Sequence, residues 1–280
     1  MSSHGRVWLF VPYFRSFSSY SKLSLILVWL LKWCYVAQRR MGIAVDEYKS
    51  RDESLPIQIE WKPFMIDPGT KTQGEEYLAY NQRRWGSDGW THSLKREGKK
   101  IGAPFANWYV EVFLDSVSLN TTEYLWCATT KLIFLTSLYL SAIIRKWWPN
   151  TFKAHQLVAY FAQKKKNGED STSHSNRALF EALYEEGKNL SSIDTLVQVA
   201  VEKLGLPVEE QDDLRSFLET DRAGQDVMRD IEEGRQKYRI SGVPFFVIET
   251  SPRGPGQRPY GFSGAQPPST FLEIFEELAE

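Results

Sequence analysis

The chain has 280 residues, 42% of them hydrophobic and 25% charged, the balance of a globular protein with one large domain or two smaller ones. Lys plus Arg total 34 against 35 for Asp plus Glu, so no global basic excess points to nucleic acid. Two cysteines, Cys34 and Cys127, are too few for a disulfide framework and fit a reducing compartment.

Charge is uneven along the chain. No acidic residue precedes Asp46, whereas Arg6, Arg15, Lys22, Lys32, Arg39 and Arg40 do. An acid-free stretch with Arg and Ser has the composition of a mitochondrial transit segment, so a mitochondrial address stands beside the cytoplasmic one that the cysteine usage favours. Residues 1–22 have no period and read as an irregular or targeting-like start. Residues 25–30 (LILVWL) form a short apolar run suited to a buried strand. A helix follows from Trp33 through Met41, Ala44, Val45 and Tyr48. Residues 57–61 alternate apolar and polar, and Pro63 stops them. Strand, helix and strand within forty residues imply a parallel pair.

From residue 73 to about 238 the pattern is helical. Helices are expected from Glu75, over 152–163 behind an Asn150-Thr151 cap, over 175–186, over 193–204 behind Ser192, over 208–219 and over 223–238. Residues 164–175 are polar and read as a loop. The apolar stripes of these helices are ordinary core.

Residues 241–248 (SGVPFFVI) then begin as a turn and run into a buried strand, with Pro244 at its start, where a missing N–H costs little. An X-Pro bond is the one place where a cis peptide is cheap, and Val243–Pro244 is expected to be cis. A turn over 251–259, a second antiparallel strand at 260–263 and a helix over 270–279 complete the chain. The fold class is α/β: a thioredoxin fold built from 23–72 and 239–280, with a large helical insertion, 73–238, between its β-α-β and β-β-α halves.

Four segments in order carry a family likeness: 33–41 (WCYVAQRRM), 60–64 (EWKPF), 148–155 (WPNTFKAH), and 241–248 together with 262–268 (FSGAQPP). The chain resembles the DsbA-like thioredoxin-fold oxidoreductases of the FrnE type, relatives of 2-hydroxychromene-2-carboxylate isomerases and kappa-class glutathione transferases. The resemblance implies thiol–disulfide exchange on a peptide or small thiol, no bound cofactor, glutathione as a candidate substrate or co-substrate, and a homodimer as one form of assembly. It places the site at Leu31, Cys34 and Pro244, with Trp33, Phe64, Asn150 and Val243 lining a substrate groove. No His spacing with the two cysteines suits a metal.

The chain departs from this family twice. Redox-active members have Cys-Pro-Trp-Cys where this chain has Leu31-Lys32-Trp33-Cys34, so Cys34 matches the resolving cysteine and Leu31 stands in the nucleophile's place. A first thiol at a helix start is what the helix dipole activates. Cys34, a turn further in, is expected to be a small buried hydrophobe. The residue types leave a non-catalytic binding module open, and a glutathione-dependent isomerase or transferase would need a polar residue at position 31. Asn150 also has a plain reading as a helix cap, and His155 as a packed core residue.

The second departure is an insert, 109–145, whose apolar run 124–144 is interrupted only by Lys131 and has the length of a membrane span. A retained intron translated in frame, a membrane anchor and an ordered family-specific insertion all fit that composition. A membrane partner enters only with the anchor.

Overall fold

The computed structural model describes residues 32–51, 57, 59–87, 89, 91–103, 105, 147–164, 171–248 and 260–279. The expected first strand at 25–30, Leu31 and the insert with its Cys127 lie outside the described residues.

Helix α1, Lys32–Arg51, carries Cys34, Ala37, Met41, Ala44, Val45 and Tyr48 at helical spacing, and these are buried. Near its start four consecutive residues, Cys34, Tyr35, Val36 and Ala37, have no exposed surface. Residues 59–65 follow without regular secondary structure. They form no ladder with any described residue, where the alternating pattern predicts a strand. A ladder needs a neighbour, and the expected neighbour at 25–30 lies outside the description. Trp61 is nevertheless buried, and its indole Nε1–H donates to Ser173 Oγ at 2.7 Å.

The helix expected from Glu75 starts two residues later. Glu75–Glu76 form a short strand, β1, antiparallel to β2 at Trp147–Trp148. The Glu76 carboxylate then accepts from the N–H groups of Leu78 and Ala79, satisfying donors that the first turn of α2 (Tyr77–Trp85) cannot pair internally. Helix α3, Thr91–Lys100, has no clean apolar stripe and was not foreseen by periodicity.

At Gly98 the α3 backbone meets the following turn. A Cβ there would stand 2.3 Å from the Ala103 carbonyl oxygen and 2.5 Å from Phe105 Cε2. Neither atom is a free side-chain end, because Phe105 is itself 1% exposed. Gly98→Ala is therefore expected to cost about 1–3 kcal/mol, as overpacking does. A lowered urea midpoint at unchanged slope checks it; an unchanged midpoint contradicts the close approach.

The central helices follow the sequence pattern closely. They are α4 (Phe152–Lys164), α5 (Ser171–Tyr184), α6 (Ile193–Leu204), α7 (Gln211–Glu219, after a 3-10 turn at Val208–Glu210) and α8 (Gly224–Gln236). Ser192 caps α6, accepting from Thr195 N–H, and Gly205 ends it in the left-handed region at φ 68°. Helix α5 starts at Ser171, inside the stretch expected to be loop, since Ser and Thr in a first turn look polar without being unstructured.

Strands β3 (Phe245–Ile248) and β4 (Tyr260–Ser263) pair antiparallel, with Phe246 opposite Phe262 and Ile248 opposite Tyr260. Alternation along β3 serves two cores. Phe246 and Ile248 enter the main core, where Phe246 stacks on Phe262 and meets Phe271 edge-on, each ring pair 5.0 Å apart. Val247 and Phe245 face a second, smaller core made with Phe64, Met65, Val227, Ile231 and Ile240. Helix α9, Pro268–Ala279, lays Phe271 and Phe275 on the main core and packs along α1, where Phe275 meets Tyr48 at 5.5 Å. The architecture is an α/β thioredoxin fold, mostly helical, with helices inserted between its two halves.

Among the described residues no helix is long and apolar enough to cross a membrane.

Candidate functional site

The start of α1 brings three side chains to the site region. Cys34 is a reduced thiol with no exposed surface, inside the main core. Trp33 is half-buried and packs against the same core. Lys32, the first helical residue, is also fully buried; its ammonium donates to the Tyr77 hydroxyl and lies 4.0 Å from the centre of the Tyr77 ring. A buried ammonium is tolerable only with such partners.

Aromatic rings crowd this helix start. Tyr35 stacks on Phe180 at 5.6 Å and on Tyr184 at 5.5 Å, and meets Phe105 edge-on at 5.4 Å. Burial pushes the Tyr35 hydroxyl up to about 12, against the opposing pull of Arg39, which donates to it at 3.2 Å. Tyr184 is held well above its ordinary value, first by burial and then by the nearby Cys34 and Tyr77. Both phenols stay protonated at neutral pH.

The loop before β3 carries the other two residues named around the Val-Pro step. The Val243–Pro244 peptide bond is cis. Pro244 is buried, and its carbonyl accepts from Gly264 N–H at 2.8 Å, which ties the entry of β3 to the exit of β4. Val243 is half-buried and packs against both the main and the second core. It therefore stands between Phe64, in the second core, and the core that contains Cys34.

Phe64 is held by two residues, Arg235 and His155. The Arg235 guanidinium lies 5.2 Å from its ring centre and donates to the next carbonyl, Met65 O, at 2.9 Å. The Phe64 carbonyl meets His155 Nε2 at 3.1 Å. His155 is buried, and desolvation lowers its pKa to about 3, so the ring is neutral and the nitrogen facing the carbonyl carries the proton. Thr151 Oγ1 lies 3.3 Å from the same nitrogen.

Asn150 is committed elsewhere. Its Oδ1 accepts from Phe152 N–H at 3.1 Å, its Nδ2 donates to the Thr70 carbonyl at 2.8 Å, and its backbone N–H donates to Ser191 Oγ at 2.7 Å. This is a helix cap that also clamps the loop at Thr70.

Of the residues chosen from sequence, the structure thus groups Phe64 with Val243, and sets Trp33 and Cys34 in the core that Val243 also touches. Asn150 makes local structural bonds, and Leu31 lies outside the described residues. Sequence reasoning missed Lys32 and Arg235, because nothing in a single chain distinguishes a cationic side chain packed against a ring from a solvated one. Among the described residues no group of three or more His, Cys, Asp and Glu side chains is arranged to hold a metal.

A buried cysteine in the first turn of a helix and a cis Val-Pro step that opens a hairpin strand, both packed on the main core, are what a thioredoxin fold is expected to carry. The description "DSBA-like thioredoxin domain" matches residues 136–276, half of the chain, and the chain belongs to that family. Among solved structures it is similar to a probable DsbA oxidoreductase from Streptomyces coelicolor, at 18% identity and a TM-score of 0.65 over 93% of this chain and 90% of that one. It is similar to the cytosolic disulfide reductase DsbM from Pseudomonas aeruginosa at 15% identity and 0.54, over 91% and 98%. It also resembles a 2-hydroxychromene-2-carboxylate isomerase at 11% identity and 0.54, over 92% and 96%. At such identities the likeness is one of fold. No curated protein matches the chain.

Proposed function

We propose that this chain is a member of the DsbA-like thiol–disulfide oxidoreductases that lacks the nucleophilic cysteine, and that it binds thiol or disulfide compounds without turning disulfides over. The observation that carries the reading is Cys34: a fully buried thiol three residues past Leu31, on a helix where redox relatives place the resolving cysteine. The attacking species in disulfide exchange is an accessible thiolate. A thiol with no exposed surface cannot reach a substrate sulfur first, and no cysteine precedes it in the chain.

The groove wall offers more to a ligand than the thiol does. Val243 and Trp33 are half-buried apolar side chains that keep some exposed surface, and the backbone beside a strand entry suits an extended peptide. Glutathione, a short extended peptide with a thiol, fits that description. A disulfide reductase among proteins of the same fold supports thiol chemistry. We place this activity in the cytoplasm on the strength of the two-cysteine composition.

Two measurements test the reading. In an insulin-reduction assay the chain is expected to show no rate above the dithiothreitol background. Titration with glutathione, followed by Trp fluorescence, is expected to perturb Trp33, and Trp33→Phe to remove the perturbed component. Insulin reduction by the unmutated chain would refute the missing-nucleophile assignment. Absence of any glutathione or S-methylglutathione binding would refute the groove.

A further inference from the structure

A cavity of about 310 Å³ opens on the far side of the Phe64 segment, between residues 60–63 and helices α4, α5 and α8. That is the lower end of the size range of ligand pockets. None of the residues assigned to the thiol groove lines it. Its floor is apolar, with Trp61, Val158 and Val227 all buried. Its rim is acidic, with Glu60, Asp226 and Asp230.

The rim already grips one cation. Lys62, which also lines the cavity, is drawn to Glu60 at 2.6 Å and to Asp230 at 3.8 Å. Its pKa is raised although its own burial works in the opposite direction, because Glu60, Asp230 and Glu233 outweigh that burial. Arg229 meets Asp226 at 2.6 Å and Asp230 at 3.7 Å from outside the cavity. Three carboxylates therefore face two cations, over a hydrocarbon floor. Lys62, with its four-carbon stem and terminal ammonium, shows in outline the chemistry the rim accepts.

We propose that this cavity binds an aliphatic cation, a guanidinium or ammonium carried on a hydrocarbon stem. The stem lies on Trp61, Val158 and Val227, and the charged end meets Glu60 and Asp230 in the place Lys62 now holds. A free diamine or agmatine has this chemistry, and so does an arginine or lysine side chain of a polypeptide. The proposal does not depend on the redox reading, and its test uses binding alone.

The test is calorimetric titration of the full chain with agmatine and with N-acetyl-arginine N-methylamide. N-acetyl-citrulline N-methylamide is the neutral isostere. At least one cationic probe is expected to bind, and the citrulline form about tenfold more weakly or not at all. Asp230→Asn should weaken binding about fivefold, the scale of one partly exposed ion pair. Lys62→Gln should tighten it by a similar factor, because it removes the resident competitor. Ala159→Leu, which places a larger side chain on the cavity wall, should abolish it. Binding of agmatine alone identifies a free cation as the ligand, and binding of the arginine amide alone identifies a polypeptide side chain. Either supports the site. No binding by both cationic probes, equal binding by the citrulline form, or affinities that ignore Asp230→Asn and Lys62→Gln would overturn it. Circular dichroism of each variant keeps misfolding from being read as loss of a site.

Discussion

Leu31→Cys is expected to turn a chain with no insulin-reduction activity into one with a measurable rate. The substitution sets two thiols at the spacing of a Cys-x-x-Cys pair, one immediately before the first described residue of α1 and one at Cys34, a turn inside it. At a helix start the unpaired N–H groups and the helix dipole favour a thiolate, so the new thiol should titrate below the free value of about 8.5. Its thiolate attacks one sulfur of the insulin disulfide and expels the other as a thiolate. Cys34 then attacks the protein-side sulfur of the mixed disulfide and releases the second insulin thiol. The protein is left with an intramolecular disulfide, which dithiothreitol reduces. Burial of Cys34 does not prevent this, since a resolving thiol needs to reach only the sulfur beside it. Leu31→Cys combined with Cys34→Ser should stop after the first attack and accumulate a mixed disulfide visible by mass. A folded Leu31→Cys protein that gains no internal disulfide after oxidation would show that position 31 does not stand at the nucleophile's place.

Much of this architecture was legible because its signals are local. The period-3.6 stripes of α4, α6 and α8 and the cap at Ser192 need only neighbours in sequence, and their observed bounds fall within a few residues of the expected ones. The hairpin of β3 and β4 was legible for the same reason, a turn-rich stretch between two short apolar runs. What failed was non-local or chemically ambiguous. Whether Glu75 and Glu76 open a helix or pair with Trp147 and Trp148 is decided by a partner seventy residues away, and the Glu76 carboxylate serves as a cap in either case. Serines at 171–175 read as loop and form the first turn of α5.

The site divides along the same line. Val243, Pro244 and Cys34 could be singled out by motif, since a Val-Pro step and a helix-borne cysteine are written in consecutive residues. Asn150 carried two meanings at once, a cap and a ligand donor, and the structure spends its amide on Phe152 and Thr70. Lys32 looked like part of a basic N-terminal stretch; its burial against Tyr77 is a fact of packing across 45 positions. Arg235 and His155 support Phe64 from 171 and 91 residues away respectively, counting Arg235 from its ring contact and His155 from its hydrogen bond. No periodicity records such a pairing.

His155 gives the second large effect, a loss of stability in mild acid. Its folded pKa is about 3 against an ordinary 6.5, and the cause is burial, which the bond to the Phe64 carbonyl opposes only in part. The unfolded chain therefore binds a proton between these values and the folded chain does not. Stability from the neutral ring is complete above pH 6.5, falls as pH drops through that value, and stops falling below about pH 3. Over the 1.5 pH units from 6.5 to 5 the loss from this residue amounts to about 2 kcal/mol, at 1.36 kcal/mol per unit. His155→Gln supplies the control, because its amide Nε2 can donate to the Phe64 carbonyl and never takes a charge. Urea unfolding at pH 7 and pH 5 should show the unmutated protein losing about 2 kcal/mol more than the Gln variant over that interval. Carboxylates elsewhere titrate in both proteins and cancel in the comparison. The same hydrogen bond fixes the carbonyl of Phe64, whose ring packs in the core that Val243 touches. Parallel losses in the two proteins would mean that His155 takes up its proton in the folded state as readily as in the unfolded one, and that burial does not hold the ring neutral.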